Sequence, residues 1–490
     1  MKNPWIAIVV PMALAGCMVT PDYVPPEVSV PDRWHEELQS GDVQDGVELA
    51  EWWHILEDPI LDSLIDRAAS GNLDVRTSIA RVAEARARYG VVAGQLYPDV
   101  NASGSATRIR PSEEEPFGIP GFDASDESSF FLGIDAFWEV DLWGRVARSI
   151  ESATADVEAN IENQRDVNVT LYGEVSGTYV LLRTLQERRR VAVDNVKQQT
   201  ESMHLANTRF ESGLSPRLDV AQAQRILAST EADIPSLDQE IVATTNRLAV
   251  LLGASPGALW DELSPQQPIP PAPVHLVVGI PADVLRQRPD IRAAERRLAA
   301  QTALVGVATA ELYPQFFIDG SFGYSAEDFG DMFQGSSRTW SVGPVMSWNV
   351  FDGGRVRGVI GAQEAKVQQA LIDYERTVLL ALEETENAMT DFIQEQVRLA
   401  ALQRSVTAAE LTLDLSRQLY KEGLSDFQNV LDAQGAVLLQ QDLEVSSRGF
   451  VTASLVRIYK SLGGGWTPEP EPVPLPETQE GAAGTQAPVD

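Results

Sequence analysis

The sequence predicts a mixed α and β fold: long antiparallel helices joined to membrane-crossing strands, built as two internal repeats. Three observations predict it. The chain is written twice, with Leu96-Tyr97-Pro98 recurring as Leu312-Tyr313-Pro314, Trp138-Glu139-Val140 as Trp348-Asn349-Val350, and Gly213-Leu214-Ser215 as Gly423-Leu424-Ser425. Each copy holds two stretches of roughly ten residues with period-2 alternation of apolar and polar side chains, which mark strands. Each copy then runs on through a very long stretch without proline, from Pro120 to Pro216 and from Pro344 to Pro468.

The N-terminus comes first. Met1 to Gly16 carries a charged start and an apolar run too short to span a bilayer, ending in small residues, so residues 1–16 read as a signal peptide. Leu14-Ala15-Gly16-Cys17 resembles the bacterial lipobox, in which the cysteine receives palmitate-class lipid and becomes the new N-terminus. Cys17 is the single cysteine of the chain, which excludes an internal disulfide framework. Met18 follows it, not the aspartate associated with inner-membrane retention, so the outer membrane is the expected destination. Residues 17–60 then form a lipid-anchored, extended segment that is Pro-rich from Tyr23 to Pro31.

The first repeat spans residues 61–252 and contains a strand pair within 98–140; the second spans 281–466 with a strand pair within 314–350. The distance between equivalent residues shortens between Pro98 and Trp138. The Pro/Gly-rich stretch 110–121 accounts for this as a longer loop in the first copy. In the last strand Trp340, Val342, Pro344, Met346, Trp348 and Val350 share one face, against Ser341, Gly343, Val345, Ser347 and Asn349. Leu132, Ile134, Ala136, Trp138 and Val140 do the same, and Phe316-Ile318-Gly320-Phe322-Tyr324 and Val100-Ala102-Gly104-Ala106 supply the partners. Ten residues is the length a tilted strand needs to cross a bilayer. A β-sandwich with one wet face would alternate in the same way. Tryptophan near the strand ends and the lipobox favour the membrane barrel. Four strands cannot close a barrel, so the chain must oligomerise to hide its edges.

Arg145 to Glu211 would extend about 100 Å as a helix at ~1.5 Å per residue. Apolar residues recur at sevens in Val175, Leu182, Val196, Met203 and Phe210, and again in Leu424, Leu431, Leu438 and Val445, a coiled-coil seam. An ordinary bundle would show such a seam too, but its helices rarely exceed about 25 residues. Helices enter and leave the strand layer on one side, so the helices project into the periplasm and the loops face outward, giving a continuous tube. Residues 253–280 form a Pro-rich linker between the copies. Residues 467–490 have almost nothing to bury and are expected to be a disordered tail. Trp52-Trp53 and Gly463-Gly464-Gly465-Trp466 read as packing and helix termination.

Composition narrows the function. The net charge of −33 argues against nucleic acid, which needs a basic stripe, and fits a lumen that favours cations. No stretch after Cys17 has the apolar length of a transmembrane helix. His35, His54, His204 and His275 are scattered, with no HExxH, no cysteine-based zinc spacing, no Walker loop and no Gly-x-Ser-x-Gly elbow. No catalytic residues, no metal and no cofactor beyond the covalent lipid on Cys17 are expected. A lipid-anchored adaptor, the other coiled-coil protein of export systems, would lack two bilayer-length strand pairs.

Taken together, the lipobox followed by Pro21-Asp22-Tyr23, the run Trp138 to Arg145, Arg288-Pro289-Asp290-Ile291, Phe351-Asp352-Gly353-Gly354-Arg355 and the two Gly-Leu-Ser turns are specific. They resemble the TolC-type outer-membrane factor family, most closely its lipoprotein branch serving drug-efflux pumps of the RND type, over nearly all of the mature chain. The resemblance implies a homotrimer in which four strands from each chain close a twelve-stranded barrel above a twelve-helix α-helical barrel. It implies partners as well: a periplasmic adaptor, an inner-membrane pump and outer-membrane lipid. The two Gly-Leu-Ser turns become periplasmic tips, with Ser212, Gly213, Leu214, Ser215, Glu422, Gly423, Leu424 and Ser425 as adaptor docking residues. Glycine at these positions also simply makes a tight turn. Near the tips the family keeps a closed gate of acidic rings and a tyrosine-centred polar link, which falls here on Asp219, Asp432 and Tyr420. The basic position of that link in some relatives falls on Ser425, so that salt bridge is missing, and Asp426 is the candidate substitute. Two functions fit the resemblance: small-molecule efflux, which lipid anchoring favours, and type I protein secretion.

Overall fold

The computed structural model describes residue 19 and residues 22–26, 28–31, 33–35, 49–110, 126–273 and 287–466. The signal peptide, Cys17 and the tail 467–490 lie outside the described residues.

The first repeat consists of α1 (Pro59–Gly71), α2 (Leu73–Ala93), β1 (Asp99–Ile109), β2 (Glu127–Val140), α3 (Arg145–Glu211) and α4 (Arg217–Leu251). The second consists of α5 (Pro289–Ala310), β3 (Gln315–Ala326), β4 (Arg338–Ser347), α6 (Arg355–Lys421) and α7 (Phe427–Ser461). Both α3 and α6 are 67 residues long, which at ~1.5 Å per residue is about 100 Å. Each opens on an acidic cap. The Ala147 N–H donates to Asp141 Oδ2 at 2.8 Å, and the Val356 N–H to Asp352 Oδ2 at 2.8 Å. A carboxylate there satisfies orphan amides and complements the positive end of the helix dipole.

The four strands form one antiparallel sheet in the order β1-β2-β3-β4. The register carries one apolar face across all of it. Ala102 lies opposite Ile134, Ile134 opposite Phe322, and Phe322 opposite Trp340. Asn101, Asp135, Ser321 and Ser341 line up in the same way on the other face. A one-residue slip would turn every apolar side chain to the polar side, so this alternation itself specifies the register. The strand–helix junctions lie at one end of the sheet and are pinned alike in both repeats. Trp138 Nε1 donates to the Leu96 carbonyl at 3.0 Å, and Trp348 Nε1 to the Leu312 carbonyl at 3.1 Å.

Two expectations need correction. The last strand ends at Ser347, not Val350, because its only neighbour among the described residues, β3, begins at Gln315 opposite Ser347. Trp348 and Val350 are left exposed. Pro344 is accommodated within β4, opposite Ile318. The heptad rows also do not stay buried. Val175 and Leu182 are fully covered, whereas Phe210 and Leu424, at the ends of their rows, are exposed. Along α3 a straight helix drifts by ~20° per heptad, so the row of sevens leaves the seam by Phe210, whereas Leu424 lies in the turn before α7 begins.

The main core lies midway along the helices. Trp52, Trp53, Leu56, Leu61, Leu64, Tyr179, Leu182, Phe392 and Tyr459 belong to it. Trp52 stacks on Tyr459 at 5.4 Å, and the Gly465 N–H donates to the Leu49 carbonyl at 2.7 Å. Both features read as packing from sequence do pack. Arg288, nearly buried, holds this level together. Its guanidinium grips both Asp290 oxygens (3.1 and 2.7 Å) and donates to Glu384 Oε2 (2.9 Å) and to the Ser461 carbonyl at the end of α7 (2.7 Å). The Arg-Pro-Asp motif thus starts α5 and caps α7 at once.

Candidate functional site

At the end far from the sheet, α3 turns into α4 through residues 212–216, and α6 into α7 through 422–426. Both turns are made in the same way. Gly213 and Gly423 take φ of 78° and 74°, the left-handed region where a side chain would be strained. The Leu214 and Leu424 amides reach back to the Arg209 and Leu419 carbonyls at 2.8 and 2.9 Å, which is the Schellman pattern. That pattern leaves Leu214 (66% exposed) and Leu424 (75% exposed) projecting as apolar knobs at the tips. Ser212 Oγ donates to the Thr208 carbonyl, and Ser425 Oγ accepts from Asn429 Nδ2 at 2.8 Å. Glu422 is exposed beside Gly423, and Ser215 is half-buried.

Between the two turns lies a cleft of about 430 Å³ lined by Arg209, Leu214, Asp219, Tyr420, Asp426 and Phe427, among others. Tyr420 is its centre. The ring is 3% exposed and packs on Phe427 at 4.9 Å, and its hydroxyl donates to Asp219 Oδ2 at 3.0 Å. Burial raises the phenol pKa above its ordinary value, and the facing Asp219 carboxylate adds to the rise, so the hydroxyl stays a neutral donor. This bond ties α6 of the second repeat to α4 of the first, so the two hairpins cannot separate here without breaking it.

A further residue completes the link. The Arg209 guanidinium lies over the Tyr420 ring at 4.8 Å, and its Nη1 donates to the Lys421 carbonyl at 2.8 Å. A cation is well placed both on an aromatic face and at a helix C-terminus. Sequence reading sought a base at Ser425. The structure puts one beside the tyrosine from the other repeat. Asp432 stands apart and accepts from Gln428 Nε2 at 2.7 Å, while Gln428 Oε1 in turn accepts from Gln222 of α4 at 3.3 Å. Asp426 lies exposed at the start of α7, where its carbonyl accepts the Asn429 N–H. Of the residues singled out from sequence, Asp219 and Tyr420 therefore meet, Asp426 lines the same cleft without bonding to either, and Asp432 does not join them.

A sheet with one lipid-compatible face, continued on one side by helices about 100 Å long, defines a subunit of a membrane-anchored channel with a periplasmic extension. The model of the outer membrane efflux protein family matches residues 64–254 and again 280–464, once for each repeat. The chain is 33% identical over 432 residues to nodulation protein T of Rhizobium leguminosarum bv. trifolii, covering 88% of this chain and 90% of that protein. It is 29% identical to the solvent efflux pump outer membrane protein SrpC of Pseudomonas putida, covering 93% of this chain and 97% of that one. Among solved structures, the outer-membrane channel OprN superposes with a TM-score of 0.86 at 36% identity, over 92% of this chain and 100% of the other. The chain belongs to the outer membrane efflux protein family, a family of channels rather than enzymes, and it acts in efflux at the outer membrane.

Proposed function

We propose that three copies of this chain form the exit duct of a tripartite efflux system, conducting small molecules passively out of the periplasm once an adaptor opens the tips. The observation that carries this reading is the sheet, with one continuous apolar face, two free edges, and both long helices leaving from the same end. An edge of unpaired backbone groups cannot be left in lipid, so closure by further copies is required. Lipid on Cys17 anchors residues 17–60. Residues 61–252 and 281–466 are the two walls of the duct, and 253–280 is the equatorial connection.

The exposed Leu214 and Leu424, with Ser212, Gly213, Ser215, Glu422, Gly423 and Ser425, present the adaptor-docking surface. The Tyr420–Asp219 bond is the closed latch, with Arg209 as its cation. Asp219, Asp432 and Asp426 give the narrow end its acidic lining, which holds cations and opposes anions. An adaptor can favour opening only through contacts that are better in the open state. Replacing Asp219 and Asp432 with alanine is expected to raise resting conductance in a planar bilayer; unchanged closure would remove them from the gate.

The function itself is tested by fluorescent-dye accumulation in cells with and without the gene, with secreted proteins assayed in parallel. More dye in the deletion strain with normal secretion is the expected result. Normal dye with lost secreted protein would move the channel to type I secretion.

A further inference from the structure

We infer that the seam between neighbouring copies has a register already written inside one chain, and that an Arg81–Asp373 ion pair locks it. This rests on the multimeric duct proposed above and adds which atoms meet.

The duplication holds to the level of strand register. Matching Pro98 to Pro314 and Trp138 to Trp348 converts the β1–β2 pair Asp99↔Phe137 into Gln315↔Ser347, the pair that β3 and β4 make. The junction between the two repeats pairs β2 with β3, placing Trp138 opposite Ile318 and Val140 opposite Phe316. Carrying β2 forward to β4 and β3 back to β1 gives the junction between one copy and the next. It places Trp348 opposite Ala102, Val350 opposite Val100, and Ser347 opposite Ser103. The faces agree: Val100, Ala102, Gly104 and Ala106 fall against Val350, Trp348, Met346 and Pro344, all on the apolar side. A shift by one residue would set that row against Asn349, Ser347, Val345 and Gly343, so this register is the one the bilayer selects. In the assembly β4 therefore extends to Val350, which accounts for the exposed apolar residues beyond its end in the single chain.

The same shift applies to the helices. Within the chain α5 lies on α3, tied by Arg297 Nη2 to Asn163 Oδ1 at 2.6 Å. The equivalents of these residues are Arg81 on α2 and Asp373 on α6, a cation and an anion, both exposed in the single chain, where Asp373 Oδ1 accepts from Arg376 Nη1 at 2.8 Å and leaves Oδ2 for Arg81 in the seam. The charged contacts Arg292–Glu162 and Arg296–Glu158 of the internal seam become Arg76 with Ile372 and Ala80 with Gln368. The outer seam thus keeps one charge pair in place of two and gains apolar area. Ile79 and Val91 on α2, and Ile372, Leu379 and Leu380 on α6, are each more than half exposed in the single chain. The two surfaces differ, so the contact is head-to-tail, the kind that a closed ring of copies requires.

The test uses the full chain in isolated outer membranes. Ser103→Cys with Ser347→Cys, treated with a short thiol cross-linker, is expected to give covalent dimers and higher rungs. The displaced pair Ser103→Cys with Ser341→Cys, about 20 Å out of register at ~3.4 Å per residue, is expected to give none. Each single variant controls for Cys17. Arg81→Asp and Asp373→Arg should each lower the multimer fraction surviving mild heating at least twofold, and the double reversal should restore it. Multimers that cross-link at Ser103/Ser341 but not at Ser103/Ser347, or a double reversal without rescue, would overturn the seam. Absence of any multimer by native mass would instead overturn the duct reading on which the seam rests.

Discussion

The two longest helices have the same length and the same place in their repeats, yet they live in different surroundings. Among its 67 residues α3 has 26 buried, from Val146 to Ala206, whereas α6 has nine. Neighbours explain the difference. α3 is packed by α1, α2, α4, α5 and α7, all from its own chain, while α6 packs chiefly on α5 and α7 and touches α3 and α4 near its tip, at Tyr420. Ile372, Leu379, Leu380, Val397, Leu411 and Leu415 stay exposed along α6. A row of bare leucines on a helix this long marks a face made for a partner. The lesson is that α3 is finished by folding and α6 only by assembly.

The contrast can be broken most sharply by equal truncations on the two helices. Leu182→Ala on α3, where the side chain is fully buried, should lower protomer stability by about 2–5 kcal/mol in urea unfolding. Leu380→Ala on α6 should leave the protomer unchanged and reduce only the persistence of the multimer. Next in size is Arg288→Ala, which strands Asp290 without its cation, leaves Glu384 with Lys460 alone and uncaps Ser461. A loss of about 2–3 kcal/mol is expected, read as a lower thermal midpoint.

Asp166, on α3, sharpens the comparison through pH. Burial, and then the nearby Asp290 carboxylate, push its pKa up to about 6, against the opposing pull of Arg288 and Lys460. A carboxyl whose folded pKa is raised stabilises the fold fully below its unfolded value of 3.8, and that contribution is lost as pH rises through about 6. Asp166→Asn should therefore flatten the stability profile between those values and gain about 1–2 kcal/mol at neutral pH. The smallest effect is expected at the tip. Tyr420→Phe removes one hydrogen bond to Asp219, worth about 1 kcal/mol, too little to unfold the protein but enough to raise resting conductance.

Most of the architecture was legible because it is repetitive. Period-2 alternation placed the apolar face of Ile134, Phe322 and Trp340, and the proline-free runs placed both 67-residue helices. The end of β4 was not legible, since Trp348 and Val350 alternate correctly and lack only a neighbour in the same chain. At the tip, the Tyr420–Asp219 pair followed from family resemblance and meets in the structure. Arg209 did not follow from anything in the sequence. Its counterpart in the second repeat is Leu419, and its value depends on Tyr420 arriving from two hundred or so residues away. Heptad counting failed at Phe210 because a fixed row of sevens outruns the helical period over such a length, and at Leu424 because that residue belongs to the turn before α7.

The central claim is that α6 and the free edges of the sheet are completed by further copies of the same chain. Native mass spectrometry of the detergent-extracted protein tests it directly. The account predicts a single species of three chains. A stable monomer, keeping its β-structure in detergent with the α6 leucines still exposed, would contradict it.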